Sequence, residues 1–519
     1  SLAKAEHACS DVFYHASDKI IASMDEFDAT AISKTLWAYA KLGESSPELF
    51  DAAADVLIER LDEFDARATT NLIWSYAKIG HTAPKLFEAV ADKVIENIDT
   101  YYSQDLAMAV WSYATLGYST PELFNAVAAK AIPMLEAFPA QSLKNLLWAY
   151  AKSNNRSLDL FDAAIDTVTN KIGLFKSQEL SNTLWSYAKL DIAAPGLFDV
   201  AADRIIKILD KLNVQGISNI LWSYAKLGHD SPELFKAASV KIIDNLDDFY
   251  AQALSSTLWS YGNIGRPSPE LFAAASDIVI NKLDTFNEQS ISNTLWSYAR
   301  LGEKAPELFD AAASVTIGKL DKFKPQALSS TLVSYAKMGH ASPAFFDAAA
   351  EEIIKKMSSC NSQHISTTLW AYATAAYPSP ALFDAAEDEV LKKIDTFSPL
   401  AISNTVWSYA KLGYDNPQIF ESMSKASLDN MEAFTELDLS MTLWAYSMIG
   451  HTSPDLFDGA ADEAMKKLET FNPKALSSIV YAYAKIGHSS SDLFDAVAAE
   501  AIKKAGNFGQ QSIANTMWA

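Results

Sequence analysis

The chain has 519 residues, 49% hydrophobic and 20% charged, and its 42 Lys and Arg face 64 Asp and Glu for a net charge of −22. That apolar content excludes a disordered acidic chain and predicts a buried core. The two cysteines, Cys9 and Cys360, exclude a disulfide framework or a four-cysteine metal site and read as small apolar fillers, Cys360 standing where other copies of its segment carry Phe. No run of about 18 apolar residues and no signal segment occurs, which predicts no membrane-spanning element.

In chain order, Ser1-Leu2-Ala3-Lys4 aligns with the Ser-Tyr-Ala-Lys that follows Trp in later segments, so the sequence opens inside a helix. It closes at Trp518-Ala519, inside another copy of that helix. Neither end carries the polar capping repeat of a free solenoid terminus, so a longer native protein is expected, with any targeting peptide or terminal domain beyond these residues. Between the ends, all twelve tryptophans, from Trp37 to Trp518, lie at multiples of 37 residues, and Val333 and Tyr481 fill the two missing slots. A period of this length marks a repeat array, which overrides the several globular domains that length alone would suggest.

On a helical wheel the first complete Trp segment puts Ile32, Leu36, Tyr39 and Ala40 on one side and Thr30, Lys34, Ala38 and Lys41 on the other, with Trp37 at the border. The next unit, Asp65 to Tyr101, shows the full grammar. A first helix, A, spans about Ala66 to Ile79 and ends at Gly80, where a left-handed residue closes the last turn. The same slot is Gly in ten of thirteen junctions, with Asn154, Asp191 and Ala376 as the exceptions. A second helix, B, opens on Pro84, whose missing N–H costs nothing at that position, and presents Leu86, Phe87, Val90, Val94 and Ile98 as a core stripe. The Phe87 slot is Phe in all thirteen copies, and the helix A tyrosine is constant from Tyr39 to Tyr483, which marks both as packing anchors. One hairpin cannot cover its apolar faces, so the expected fold is all-α: a right-handed superhelical α-solenoid of about fourteen hairpin repeats, read as one array over residues 1–519.

Charge is segregated between the two helices. The A segments hold 14 basic and 5 acidic residues, and the remainder 28 basic and 59 acidic. The outward stripe of helix A repeats Gln, then Asn or Ser, then Lys or Arg, which makes it the candidate binding face. Its members are Asn71 and Lys78; Gln141, Asn145 and Lys152; Gln178, Asn182 and Lys189; Gln215, Asn219 and Lys226; Gln289, Asn293 and Arg300; Ser330 and Lys337; and Asn404 with Lys411. Amide and hydroxyl groups at one step per repeat can bond base edges of a single-stranded RNA while the cations hold phosphates. The same pattern also fits a protein-docking face, or a solvated face whose lysines favour the helix C-terminus. The Trp ladder can stack bases, although a wedge between repeats is the simpler reading. The acidic B face can dock a basic partner.

Six histidines, His7, His81, His229, His340, His451 and His488, share one slot of the repeat, too far apart to hold one metal ion. Phosphate-binding, zinc-protease, nucleophile-elbow and kinase motifs do not occur, so no catalysis and no cofactor are expected. The string Asn-Thr-Leu-Trp-Ser-Tyr-Ala-Lys-Leu at 182–190, with Pro-Glu-Leu-Phe at 232–235, resembles the heptatricopeptide and octotricopeptide repeat families across essentially the whole chain. Those families are similar to pentatricopeptide repeats. The resemblance implies single-stranded RNA as ligand, not DNA, an organellar location in chloroplast or mitochondrion, and the helix A stripe as the RNA-facing set. No RAP domain of the kind that often ends such proteins is visible. The acidic balance and uniform repeats point instead to a structural docking subunit of a large organellar assembly.

Overall fold

A computed structural model describes residues 10–519. The expectations placed on Ser1 to Lys4, His7 and Cys9 lie outside the described residues. Among the described residues there are 28 α-helices and no β-strand. Even-numbered helices in chain order carry the Trp and Tyr slots and are the A helices; the odd ones are the B helices. The chain divides after Phe249 into two compact units, each a run of consecutive hairpins.

Local signals set the helix ends. Asp28, Asp65, Asn213, Asn287, Asn361 and Asn472 cap A helices by accepting the N–H three residues on. Ten glycines close the A helices or the turn after them with φ between 63° and 79°. The three exceptions read from the sequence, Asn154, Asp191 and Ala376, adopt the same left-handed conformation at φ 53°, 56° and 51°. Pro stands at the first turn of eleven B helices, from Pro47 to Pro454.

Helix B is shorter than its apolar stripe suggested. In the second unit of the repeat it ends at Glu96, and Ile98 opens a separate three-residue 3-10 turn, Ile98–Thr100. The six-residue Ile132–Ala137 takes its place once, and such a three-residue turn follows each of the remaining B helices. Its three residues are too few to leave a periodic signal, and its i→i+3 bonds tighten the chain before the next A helix.

Within each unit the A helices pack along their length, and successive B helices meet over a shorter stretch. Small residues permit the close approach. Ser75, Ser112, Ser186, Ser223, Ser297, Ser334 and Ser408 are fully buried, and each donates its hydroxyl to the carbonyl four residues back. At Gly262 an added Cβ would lie 3.1 Å from both the Ser297 Cα and the Trp296 ring.

One contact ties each hairpin to the next. Tyr224 donates its buried phenol to the Phe198 carbonyl at 2.6 Å, and the two rings meet edge to face at 4.9 Å. Six such pairs occur in each unit among the described residues. The hydroxyl satisfies a carbonyl on the preceding B helix, which explains why Phe does not replace Tyr in this slot. Burial pushes these phenols above their ordinary pKa. A second tie comes from lysines at the end of helix B. Lys356 donates to the carbonyls of Leu320, Asp321 and Phe323, and Lys393, Lys467 and Lys504 repeat the arrangement. These cations cap the preceding 3-10 turn and are not part of a free solvated face.

Candidate nucleic-acid or partner interface

Each A helix presents four residues in a line, spaced 4, 3 and 4 apart, so they lie within about 40° of one direction on the wheel. In the helix Glu288–Leu301 they are Gln289, Asn293, Trp296 and Arg300. The first and last are exposed, the middle two half-buried. The order recurs as Gln178-Asn182-Trp185-Lys189 and Gln215-Asn219-Trp222-Lys226, again with exposed ends and half-buried middles.

All the sequence-predicted stripe residues fall on this line. Lys78, Gln141, Lys152, Gln178, Lys189, Gln215, Lys226, Gln289, Arg300, Lys337 and Lys411 are exposed; Asn71, Asn145, Asn182, Asn219, Asn293, Ser330 and Asn404 are half-buried. The fourth member differs from the sequence reading. The slot of Ala38 was placed outward and Trp at the border, whereas the slot is buried from Ser75 to Ala482 and Trp takes the outward line. The wheel contained this result, since Trp and not the following residue lies seven positions after Gln. Trp is also a contact between repeats: Trp259 and Trp296 stack with centroids 6.4 Å apart, and Trp111–Trp148 and Trp407–Trp444 meet at 6.4 and 6.5 Å. The Trp296 ring packs against Gly262 of the preceding A helix and stays half-buried.

The polar groups of the stripe partly satisfy one another. Gln289 donates to the Asn293 amide oxygen at 2.8 Å, and Lys144 donates to the Asn145 oxygen at 2.5 Å. Lys226 lies 3.8 Å from Asp191 on the preceding turn. The Lys337 ammonium is held below its usual pKa by partial desolvation and by the Arg300 charge, and an anion there would offset both.

The histidine slot performs another task. His81 bonds Asp51 at 2.8 Å, and His229, His340 and His488 bond Asp199, Asp310 and Asp458 in the same way, linking the turn after helix A to the preceding B helix. Among the described residues no three His, Cys, Asp or Glu side chains cluster as a metal site. No described helix is long and apolar enough to cross a membrane.

Repeated hairpins and a recurring side-chain line on the A helices of each unit define a helical-repeat scaffold of the α-solenoid class, about fourteen hairpins in sequence. The profile of the RNA-editing substrate-binding complex 6 protein (RESC6) family matches residues 8–154, 55–195, 171–281, 195–320, 314–432 and 412–519. The chain belongs to the RESC6 family. Comparison with curated protein sequences finds no match. Among solved structures, the maize pentatricopeptide repeat protein PPR10 is similar at 12% identity and a TM-score of 0.37, covering 99% of this chain and 89% of its own. Importin13 in its cytosolic state aligns at 11% identity and a TM-score of 0.31, covering 97% of this chain and 79% of its own.

Proposed function

We propose that the chain is a non-catalytic scaffold of an RNA-editing assembly and that the A-helix stripe is its RNA-contacting face. The observation that carries this reading is the row of exposed stripe cations without a carboxylate within 4 Å: Lys78, Lys152, Lys189, Arg300, Lys337 and Lys411. On a chain of net charge −22, carboxylates are abundant, yet they are kept off this line. Phosphates fit these cations, and the half-buried Trp rings and amides between them suit unpaired bases. Family membership supports association with RNA. It also favours the mitochondrion over the chloroplast.

The test is titration of a labelled single-stranded RNA pool at several salt concentrations. Binding should weaken along a negative log-salt slope, and Lys152→Glu with Lys189→Glu should weaken it further and flatten the slope by about two. Binding without a salt slope, or none, sinks the reading. A protein-docking role without RNA is the second reading, favoured by the Gln289–Asn293 bond, which occupies groups that would otherwise read bases. It predicts partners that survive RNase treatment.

A further inference from the structure

In the unit from Tyr250 to Ala519 the stripe is interrupted once by apolar side chains. The A helix Glu436–Ile449 presents Leu437, Met441, Trp444 and Met448 where other helices present Gln, Asn, Trp and Lys. The preceding A helix, Pro399–Leu412, begins its line with Leu400 in place of Gln. These side chains face outward: Leu400, Leu437 and Met448 are 54%, 53% and 41% exposed. A cavity of about 400 Å³ opens here, with Trp370, Trp407 and Trp444 along it and Leu437 and Met441 beside them. Replacing the amide and the cation slots of one stripe with Leu and Met leaves only Trp444 of the common set, and exposed apolar surface of this kind marks a contact face. Methionine suits an anchor pocket, since its unbranched chain adapts to the shape of what enters.

The rim is basic. Lys411 lies on one side, and Lys474 and Lys485 lie on the next A helix, Pro473–Ile486. Lys485 has the Met448 sulfur at 2.8 Å and the Tyr481 ring at 5.8 Å, and neither neutralises it. Of the acidic members of the patch's own helix, Asp438 is buried and accepts from Ser403 and Thr435, and Glu436 is the first residue of the helix.

We infer that this patch docks an acidic amphipathic segment of a partner protein, whose apolar anchors enter the Trp-lined cavity and whose carboxylates meet Lys411, Lys474 and Lys485. An apolar floor within a cationic rim is the complement of such a segment, as in helix-in-groove recognition. The apolar members Leu400, Leu437, Met441 and Met448 and the three lysines lie on three A helices, about 20 Å at helix-packing distances, or about 14 residues of helix, and the cavity reaches one helix further, to Trp370.

The experiment uses the full chain and a dye-labelled helical peptide of about 14 residues, with Leu and Phe on one face and Glu on the flanks, beside its Lys-for-Glu counterpart. Fluorescence anisotropy should show the Glu peptide binding at least about tenfold more tightly than the Lys peptide. Leu437→Gln, Met441→Asn and Met448→Lys together restore the common stripe. They should weaken the Glu peptide by at least about tenfold while circular dichroism and the melting temperature hold. Lys411→Glu with Lys474→Glu and Lys485→Glu should reverse the peptide preference. Equal binding of the two peptides, no binding of the Glu peptide, or indifference to the restored stripe overturns the inference. Displacement of the Glu peptide by a single-stranded RNA oligomer, with RNA affinity lowered by the same three stripe substitutions, also overturns it and assigns the patch to bases. RNA binding at the cations of the remaining stripe is measured separately, so either result leaves the RNA reading to stand or fall by itself.

Discussion

Raising the pH above 10 should unfold the hairpin runs cooperatively, because the tyrosines joining them must stay neutral. In the unit from Tyr250 to Ala519, burial raises the pKa of Tyr298, Tyr335, Tyr372, Tyr409, Tyr446 and Tyr483 above the ordinary phenol value. An unfolded chain ionises each phenol near pH 10, whereas the folded chain does not. The stabilisation from neutrality is therefore complete below pH 10 and is lost as pH rises toward the folded values. At pH 11 each group favours unfolding by about 1.4 kcal/mol, so six give about 8 kcal/mol, comparable to a whole domain's stability. The assay is a pH titration followed at 295 nm for phenolate and at 222 nm for helix. The two signals should break together between about pH 10.5 and 11.5. Lysine deprotonation falls in the same range, and a Tyr335→Phe, Tyr372→Phe variant separates the causes. It should lose about 1 kcal/mol per site at pH 8 and yet unfold at a higher pH. Phenolate rising smoothly from pH 10 with helix intact to pH 11.5 would refute the reasoning, as would a double variant with an unchanged alkaline midpoint.

Other substitutions probe individual slots. Tyr224→Ala removes a buried ring and should cost about 3 to 5 kcal/mol, whereas the neighbouring Lys226→Ala should change the unfolding free energy from urea titration by less than about 0.5 kcal/mol. Lys356→Met removes the cap on three carbonyls and should cost about 1 to 3 kcal/mol, read as faster amide exchange in residues 320–323. Ala376→Gly relieves a left-handed alanine and should raise stability by up to about 1 kcal/mol in thermal melts; destabilisation would show that alanine meets no strain there.

The fold was legible because its signals repeat. The Gly80 and Pro84 slots bound the helices, and even the non-glycine closures at Asn154, Asp191 and Ala376 follow from register alone. What escaped was short or shared. The turn Ile98–Thr100 has too few residues for periodicity, and its leading isoleucine extended the apparent apolar stripe of helix B. Lys356 reads as one more surface cation until the carbonyls of the preceding hairpin are placed beside it. The stripe itself was legible in its polar members, but the wheel centred on the polar residues put Trp at the border. A half-buried Trp satisfies both roles, and amphipathicity cannot separate them. The Leu437, Met441 and Met448 interruption was visible in the sequence, but it became a patch only when Leu400 and the three lysines were set around it.

The ties between hairpins have fixed reach: 26 residues from Tyr224 to the Phe198 carbonyl, 30 from His229 to Asp199, and 33 and 35 from Lys467 to its two carbonyls. All are shorter than one period of 37 residues, so each spans a single seam. An in-frame duplication or loss of one period inside a run rejoins the tyrosine tie, because every copy supplies the same phenol and the same backbone carbonyl. Unequal recombination can therefore change the number of hairpins without a new side chain being needed for that tie. The apolar interruption occurs once, and each such event would carry it one step, about 9 to 10 Å, along the ladder. In a chain built this way, copy number sets the separation between the patch and any chosen row of cations, so genome rearrangement can act as a ruler.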